Sequence, residues 1–149
     1  MARCPLCDIA SRSPAPDSGH IAALDQCLVV LGDNQGCPGW CVLILREHVE
    51  HMDLLGVPRQ RAVFGEVARV AAAIRRVFPT SGAGGGPVRI NYECLGNQVP
   101  HVHWHVIPRH ADDPEPRNAV WGWEPQRLRG DLSPDQRRDL ARRIAGAMT

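Results

Sequence analysis

The stretch Pro100-His101-Val102-His103-Trp104-His105-Val106-Ile107-Pro108-Arg109 decides the fold. Histidine alternates with an apolar residue three times, the period of a strand with one face exposed and one face buried. Side chains two apart on such a strand stand roughly 6.5 Å from one another. Three imidazoles would then line one face, while Val102, Trp104 and Val106 pack into a core on the other. With seven histidines in 149 residues, chance supplies only about 0.01 to 0.02 such triplets per chain, so the row demands a reason. Imidazole attacks phosphorus and donates protons near neutral pH. Neighbouring imidazoles also disfavour each other's protonation, which keeps at least one neutral and nucleophilic. A catalytic row is the preferred reading, against a purely structural row or a ladder of metal ligands.

Outward from this strand, the pattern predicts further elements. Residues 88–94 form a partner strand, joined to residues 102–108 by Leu95-Gly96-Asn97-Gln98-Val99-Pro100. Cys27–Leu31 and Cys41–Leu45 are two more short apolar strands, separated by the turn-rich Gly32-Asp33-Asn34-Gln35-Gly36. Between the strands, Val63, Val67, Val70, Ala71, Ile74 and Phe78 recur at helical spacing, with Pro58 at the start and Pro79 at the end of a long helix. Residues 80–87, with four glycines, read as a flexible loop that lacks the lysine of a phosphate cradle. Residues 8–26, with Pro14 and Pro16, read as an irregular lead-in. Ser133-Pro134-Asp135-Gln136 has the form of a capping box opening a C-terminal helix that runs to about Met148. The sum is an α+β domain spanning 1–149, with an antiparallel sheet of about five strands and residues 110–149 as a C-terminal extension.

Composition narrows the chemistry. All 17 basic residues are arginine, which removes Schiff-base catalysis, a phosphate-binding lysine and a lysine base. A net charge of +1 argues against a nucleic-acid binder. No run reaches the ~18 apolar residues of a membrane span. The N-terminus lacks a signal-like apolar stretch, so a cytoplasmic location is expected. There the six cysteines stay reduced and do not form a disulfide framework. Cys27, Cys37, Cys41 and Cys94 read as small packing residues. Cys4-Pro5-Leu6-Cys7 has the spacing for two thiolates on one metal, or for a redox pair. His20 and His110 read as solvated.

The segment His101 to Ile107 fits His-φ-His-φ-His-φ-φ, with φ apolar, at every position. With Pro38-Gly39, the strand Cys41–Leu45 followed by His48, and Asn91-Tyr92-Glu93 through Asn97, the chain resembles the histidine triad (HIT) family of nucleotide hydrolases and transferases. The likeness spans roughly residues 4–109 and is greatest to bacterial members of the diadenosine-tetraphosphate-hydrolase-like type. It implies that His103 attacks the α-phosphorus of a nucleotide, forming a nucleotidyl-histidine that water hydrolyses. His105 would contact the phosphate and the departing atom, and His101 and His48 would hold the row in place. Asn91, Asn97 and Gln98 correspond to polar positions near nucleotide and phosphates, and Asp33 to a ribose contact. The resemblance also implies a structural zinc on Cys4, Cys7, His48 and His101, with His51 as the alternative ligand, and a homodimer. Two positions depart from the family pattern. Trp40 follows Pro38-Gly39 where many members have histidine, and Arg46 stands where many have lysine. The competing functions are a catalytically silent, zinc-bound nucleotide-binding module and a metallohydrolase with its metal on the three histidines.

Overall fold

The computed structural model describes residues 4–11, 19–78 and 86–148. The proline-containing lead-in around Pro14 and Pro16, and most of the glycine-rich 80–87 loop, lie outside the described residues. Five strands form one antiparallel sheet: β1 (His20–Ala23), β2 (Cys27–Leu31), β3 (Cys41–Leu45), β4 (Pro87–Glu93) and β5 (His103–His110), in the order β1-β2-β3-β5-β4. Helices α1 (Pro5–Ser11), α2 (Val57–Val77), α3 (Pro125–Arg129) and α4 (Pro134–Gly146) complete the elements, with short 3₁₀ turns at Met52–Leu54 and Val120–Gly122. None of the described helices is long and apolar enough to cross a membrane.

The expected α+β architecture is present. Two corrections concern the region read as an irregular lead-in: its first residues belong to α1, and residues 20–23 are the fifth strand, β1. Both elements are short and lack a clear periodicity. β1 takes its place by pairing with β2 rather than by its own pattern.

The long helix needs no side-chain cap. Gly56 opens it, a proline occupies its first turn, and Arg75 and Arg76 lie in the last turn, where positive charge suits the helix dipole. Its stripe Val63, Val67, Val70, Ala71 and Ile74 is buried, one face of a 3.6-residue period. In α4 the anticipated capping box is formed: Ser133 Oγ accepts from the Gln136 amide, and the Gln136 side chain accepts from the Ser133 amide at 2.8 Å. Together α2 and α4 cover one face of the sheet, burying Val29, Leu31, Leu43, Leu45 and Val106 with the helix stripes.

The other face is covered at one end only. There Cys37, Trp40, Ile107, Val120 and Trp123 form a second apolar cluster, built by the C-terminal extension folding back over the sheet. Arg109 anchors that fold. Its guanidinium meets Asp113 at 2.5 Å with both side chains almost fully buried, and donates to the carbonyl oxygens of Glu115 and Asn118 at 2.8 Å each. Gly36 permits the closest approach: a Cβ there would stand 2.1 Å from the Arg127 carbonyl oxygen of α3. Over the rest of this face, among the described residues, Leu6 and Ile9 of α1 stand across a cleft from the sheet.

Candidate functional site

Register determines which side chains meet on the cleft face of the sheet. Cross-strand partners in an antiparallel sheet share a face. His103 lies opposite Ile44, which lies opposite Leu28; His105 lies opposite Val42, which lies opposite Val30. Two imidazoles therefore stand at the edge of an apolar floor, in a cleft of about 630 Å3. Leu6 and Ile9 of α1 also line it, and Asp33 and Asn34 stand at its rim.

The first histidine is not on the strand, which corrects the expectation of three imidazoles on one strand face. β5 begins at His103, and His101 lies in the bend before it, with no exposed surface. Its Nε2–H donates to the Leu45 carbonyl oxygen at 2.8 Å, which leaves Nδ1 as the lone-pair nitrogen. Burial holds this ring below the usual histidine pKa and so favours the neutral form. That Nδ1 faces both Cys4 Sγ and Cys7 Sγ at 3.5 Å and His48 Nδ1 at 3.3 Å.

The four ligand atoms of Cys4, Cys7, His48 and His101 lie within 4.8 Å of one another. A tetrahedral zinc ion with its usual bond lengths would separate two nitrogens by about 3.3 Å and a nitrogen from a sulfur by about 3.5 Å. The nitrogen–nitrogen distance of 3.3 Å and the nitrogen–sulfur distances of 3.2–3.5 Å match that pattern. The residues present therefore fit a metal ion. His51, the alternative ligand, caps the 3₁₀ turn outside this set.

His103 and His105 are in opposite hydrogen-bonding states. His103 Nδ1–H donates to the His101 carbonyl oxygen at 2.6 Å, leaving Nε2 with its lone pair free. His105 Nδ1 instead accepts the indole N–H of Trp40 at 3.1 Å, so its proton resides on Nε2. Burial, with the neighbouring His103 charge, pushes the His105 pKa down to about 4. The row thus presents His103 Nε2, whose ring is held through Nδ1–H by a backbone carbonyl, beside the Nε2–H of His105.

Several residues were not anticipated at this site, or were placed differently. Trp40 was noted only as a departure from pattern, yet it is 1% exposed and holds His105. Trp121 of the C-terminal extension packs edge-on to both His105 (5.1 Å) and Trp40 (5.2 Å), and its indole N–H donates to Glu93. No local motif marks Trp121; only the fold-back of the extension brings it there. His20 lines the cleft with Nε2 buried, and His110 is buried with Nε2 2.8 Å from the Pro38 carbonyl oxygen, so neither is a solvated surface histidine. Cys27, Cys37 and Cys41 are buried, but Cys94 is exposed, because it follows the end of β4 rather than continuing it inward. Gln98 lines the cleft. Asn91, opposite Ile107, stands on the same face as the histidines but beyond His105, and Asn97 is exposed in the following turn.

Comparison with known proteins bears on this arrangement. Residues 15–112 match the HIT domain family. The chain belongs to that family. Among solved structures, this HIT protein is similar to a histidine triad protein from Sinorhizobium meliloti 1021, with 26% identity and a TM-score of 0.72 over 86% of this chain and 87% of the other. A histidine triad protein from Marinobacter aquaeolei VT8 shares the fold at 22% identity and a TM-score of 0.73, covering 89% of each chain. A Zn-bound histidine triad family protein from Mycobacterium smegmatis shares it at 20% identity and a TM-score of 0.64, covering 97% of this chain and 92% of that one. No curated protein matches the sequence.

Proposed function

We propose that this HIT protein is a nucleotide hydrolase or transferase acting at the α-phosphate of a (di)nucleoside polyphosphate or a nucleoside phosphoramidate, of the diadenosine-tetraphosphate-hydrolase-like type. The observation that carries this reading is the pairing of a free His103 Nε2 with a His105 Nε2–H at the edge of an apolar cleft. The floor of Leu28, Val30, Val42 and Ile44 suits a planar base, and Asp33 at the rim suits a ribose hydroxyl. A base seated there would bring its α-phosphate to the histidines. His103 Nε2 then forms a bond to phosphorus as the bond to the leaving group breaks, and the leaving group takes the electron pair. Water attacks the nucleotidyl-histidine in a second step and regenerates the free ring. His105 supplies a hydrogen bond to the charge that develops on the phosphoryl or bridging oxygen. Phosphates extending past the row would meet Asn91 and Gln98, with Asn97 farther out.

Cys4, Cys7, His48 and His101 would hold a structural zinc ion, a closed four-ligand site with no position open for substrate. The fit of the donor atoms supports this, as does the Zn-bound relative from Mycobacterium smegmatis. When bound, such an ion cross-links α1 to the segment before β5. Its presence would fix His101, whose carbonyl oxygen orients His103. Six free thiols suit a reducing compartment such as the cytoplasm. A homodimer would form across β4, a sheet edge that exposes Val88 and Tyr92.

The test is to quench the protein rapidly during turnover of a dinucleoside polyphosphate and map adducts by mass spectrometry. A nucleoside monophosphate on His103 is expected. Binding without turnover would instead favour a catalytically silent nucleotide-binding module, and an adduct elsewhere would reassign the nucleophile.

A further inference from the structure

Resting on the nucleotidyl-transfer reading above, we propose that Trp40 is a positioning residue that locks His105 as a neutral Nε2–H donor, and that this lock restricts the enzyme to leaving groups that depart as phosphates rather than as amines.

Trp40 is held as firmly as any residue near the site. Gln35, itself buried, donates from its side chain to the carbonyl oxygens of Trp40 and Gly32 and accepts the Gly39 amide, all at 2.9 Å. The Gly32 amide donates to the same Trp40 carbonyl. Gly39 turns into the left-handed region at φ 94°, where a side chain would strike Phe78, and so aims Trp40 at β5. The His105 ring is flanked edge-on by Trp40 at 5.7 Å, Trp121 at 5.1 Å and His103 at 5.1 Å. A ring flip that exchanged its nitrogens would give up the Trp40 hydrogen bond.

An indole N–H donates and never accepts. A proton on His105 Nδ1 would face that N–H head-on across 3.1 Å, beside the edge of Trp121. The partner thus disfavours the imidazolium form, in the same direction as the burial that brings the ring's pKa down to about 4. The charged or titratable groups near His105 do not offset this. His103 beside it opposes a second positive charge, and Glu93, opposite on β4, has its carboxylate engaged by the Trp121 indole. Asp33 is fully exposed at the rim.

The two substrate classes differ in what they ask of His105. With a phosphoanhydride, the His103 Nε2–phosphorus bond forms and the bridging P–O bond breaks. The electron pair stays on the departing phosphate oxygen, which is stable as an anion near neutral pH, and a hydrogen bond suffices. With a phosphoramidate the P–N bond breaks, and the departing nitrogen requires a full proton. A neutral His105 could supply it only by becoming imidazolate, a step far too costly near pH 7. A histidine at position 40, as the family pattern often has, could accept from a protonated His105. Tryptophan removes that option.

The experiment compares kcat/KM for diadenosine tetraphosphate and adenosine 5′-phosphoramidate in the wild type, Trp40→Phe and Trp40→His. Long-range 1H–15N NMR reads the His105 tautomer in the same proteins. The wild type is expected to prefer the phosphoanhydride at least 100-fold, and to show His105 protonated on Nε2 alone from pH 5 to 8. Trp40→Phe should release His105 to titrate in that range, and Trp40→His should narrow the preference at least tenfold. A wild type that cleaves both substrates equally, or a His105 that titrates normally beside Trp40, overturns the proposal. Turnover of neither substrate overturns the enzyme reading and the preference with it, whereas the NMR signal still decides the lock.

Discussion

The His103 ring hangs by a 2.6 Å hydrogen bond from the carbonyl oxygen of His101, a residue whose own ring faces Cys4, Cys7 and His48. The proposed nucleophile and the four-residue cluster are thus linked through a single backbone residue. Cys7→Ser weakens the cluster without touching the cleft floor. It should lower metal content below half an ion per chain and reduce turnover about 10–100-fold, the usual cost of disturbing groups that orient a site. Metal analysis and steady-state kinetics on the same preparation check this. Loss of metal with unchanged turnover would show that His101 holds His103 unaided.

With a metal bound, Cys4 and Cys7 would also hold in place a helix with no buried residue of its own, and that helix contributes Leu6 and Ile9 to the cleft. Chelating the metal should therefore raise the Kd for adenosine monophosphate severalfold and speed proteolytic cleavage within residues 4–11, as titration calorimetry and timed digestion would report. Unchanged affinity after complete metal removal would separate α1 from the base pocket.

His103→Ala distinguishes a histidine nucleophile from a catalytic metal held by the triad. Turnover should fall at least about 10³-fold, since removing a nucleophile forfeits the covalent route. Metal content should stay that of the wild type, because His103 is not among the four clustered ligands. Parallel loss of metal and activity would favour the metallohydrolase.

These roles were unequally legible in the sequence. The histidine row was readable because a period-two pattern is local, and so was α2, whose buried stripe recurs over 21 residues. The metal set could be named through resemblance, though spacing alone showed only half of it, since Cys7 and His101 are 94 positions apart. Trp121 could not be assigned. Its place depends on Arg109 closing the extension onto the sheet and on Gly36 letting α3 approach, both long-range packing events without a local signature. The position of His101 off the strand is illegible for a related reason, although its place in the cluster agrees with the resemblance. Alternation continues through it in the sequence, but the backbone bends before His103 so that its ring can reach Leu45.

Arg109 offers a direct measure of what holds the extension. Arg109→Ala takes the closest cation from the buried Asp113 carboxylate, leaving it Arg127 at 3.7 Å and the Glu115 amide, and strips the Asn118 carbonyl oxygen of its guanidinium donor. Denaturant unfolding should show a loss of about 3–5 kcal/mol. Arg142→Ala, which breaks an exposed pair with Asp139 on α4, should stay within about 0.5 kcal/mol. Equal effects would mean that the extension docks through Trp123 and Val120 without help from the ion pair.

His105 predicts how stability depends on pH. Its folded pKa of about 4 lies below the ordinary value of 6.5, so the unfolded chain binds this proton first as pH falls. The stabilisation is fully present above pH 6.5, is lost progressively between 6.5 and 4, and changes no further below 4. For a half-buried ring the total is on the order of 2 kcal/mol, after allowance for solvent screening. His105→Asn removes the titrating group but leaves the metal cluster and His101 in place, so their own acid sensitivity is common to both proteins. Urea unfolding of wild type and variant at intervals from pH 7 to 4 should give curves that converge as pH falls, with the variant the flatter of the two. Parallel curves would mean that His105 takes up its proton in the folded protein as readily as in the unfolded chain, and that Trp40 does not hold it neutral.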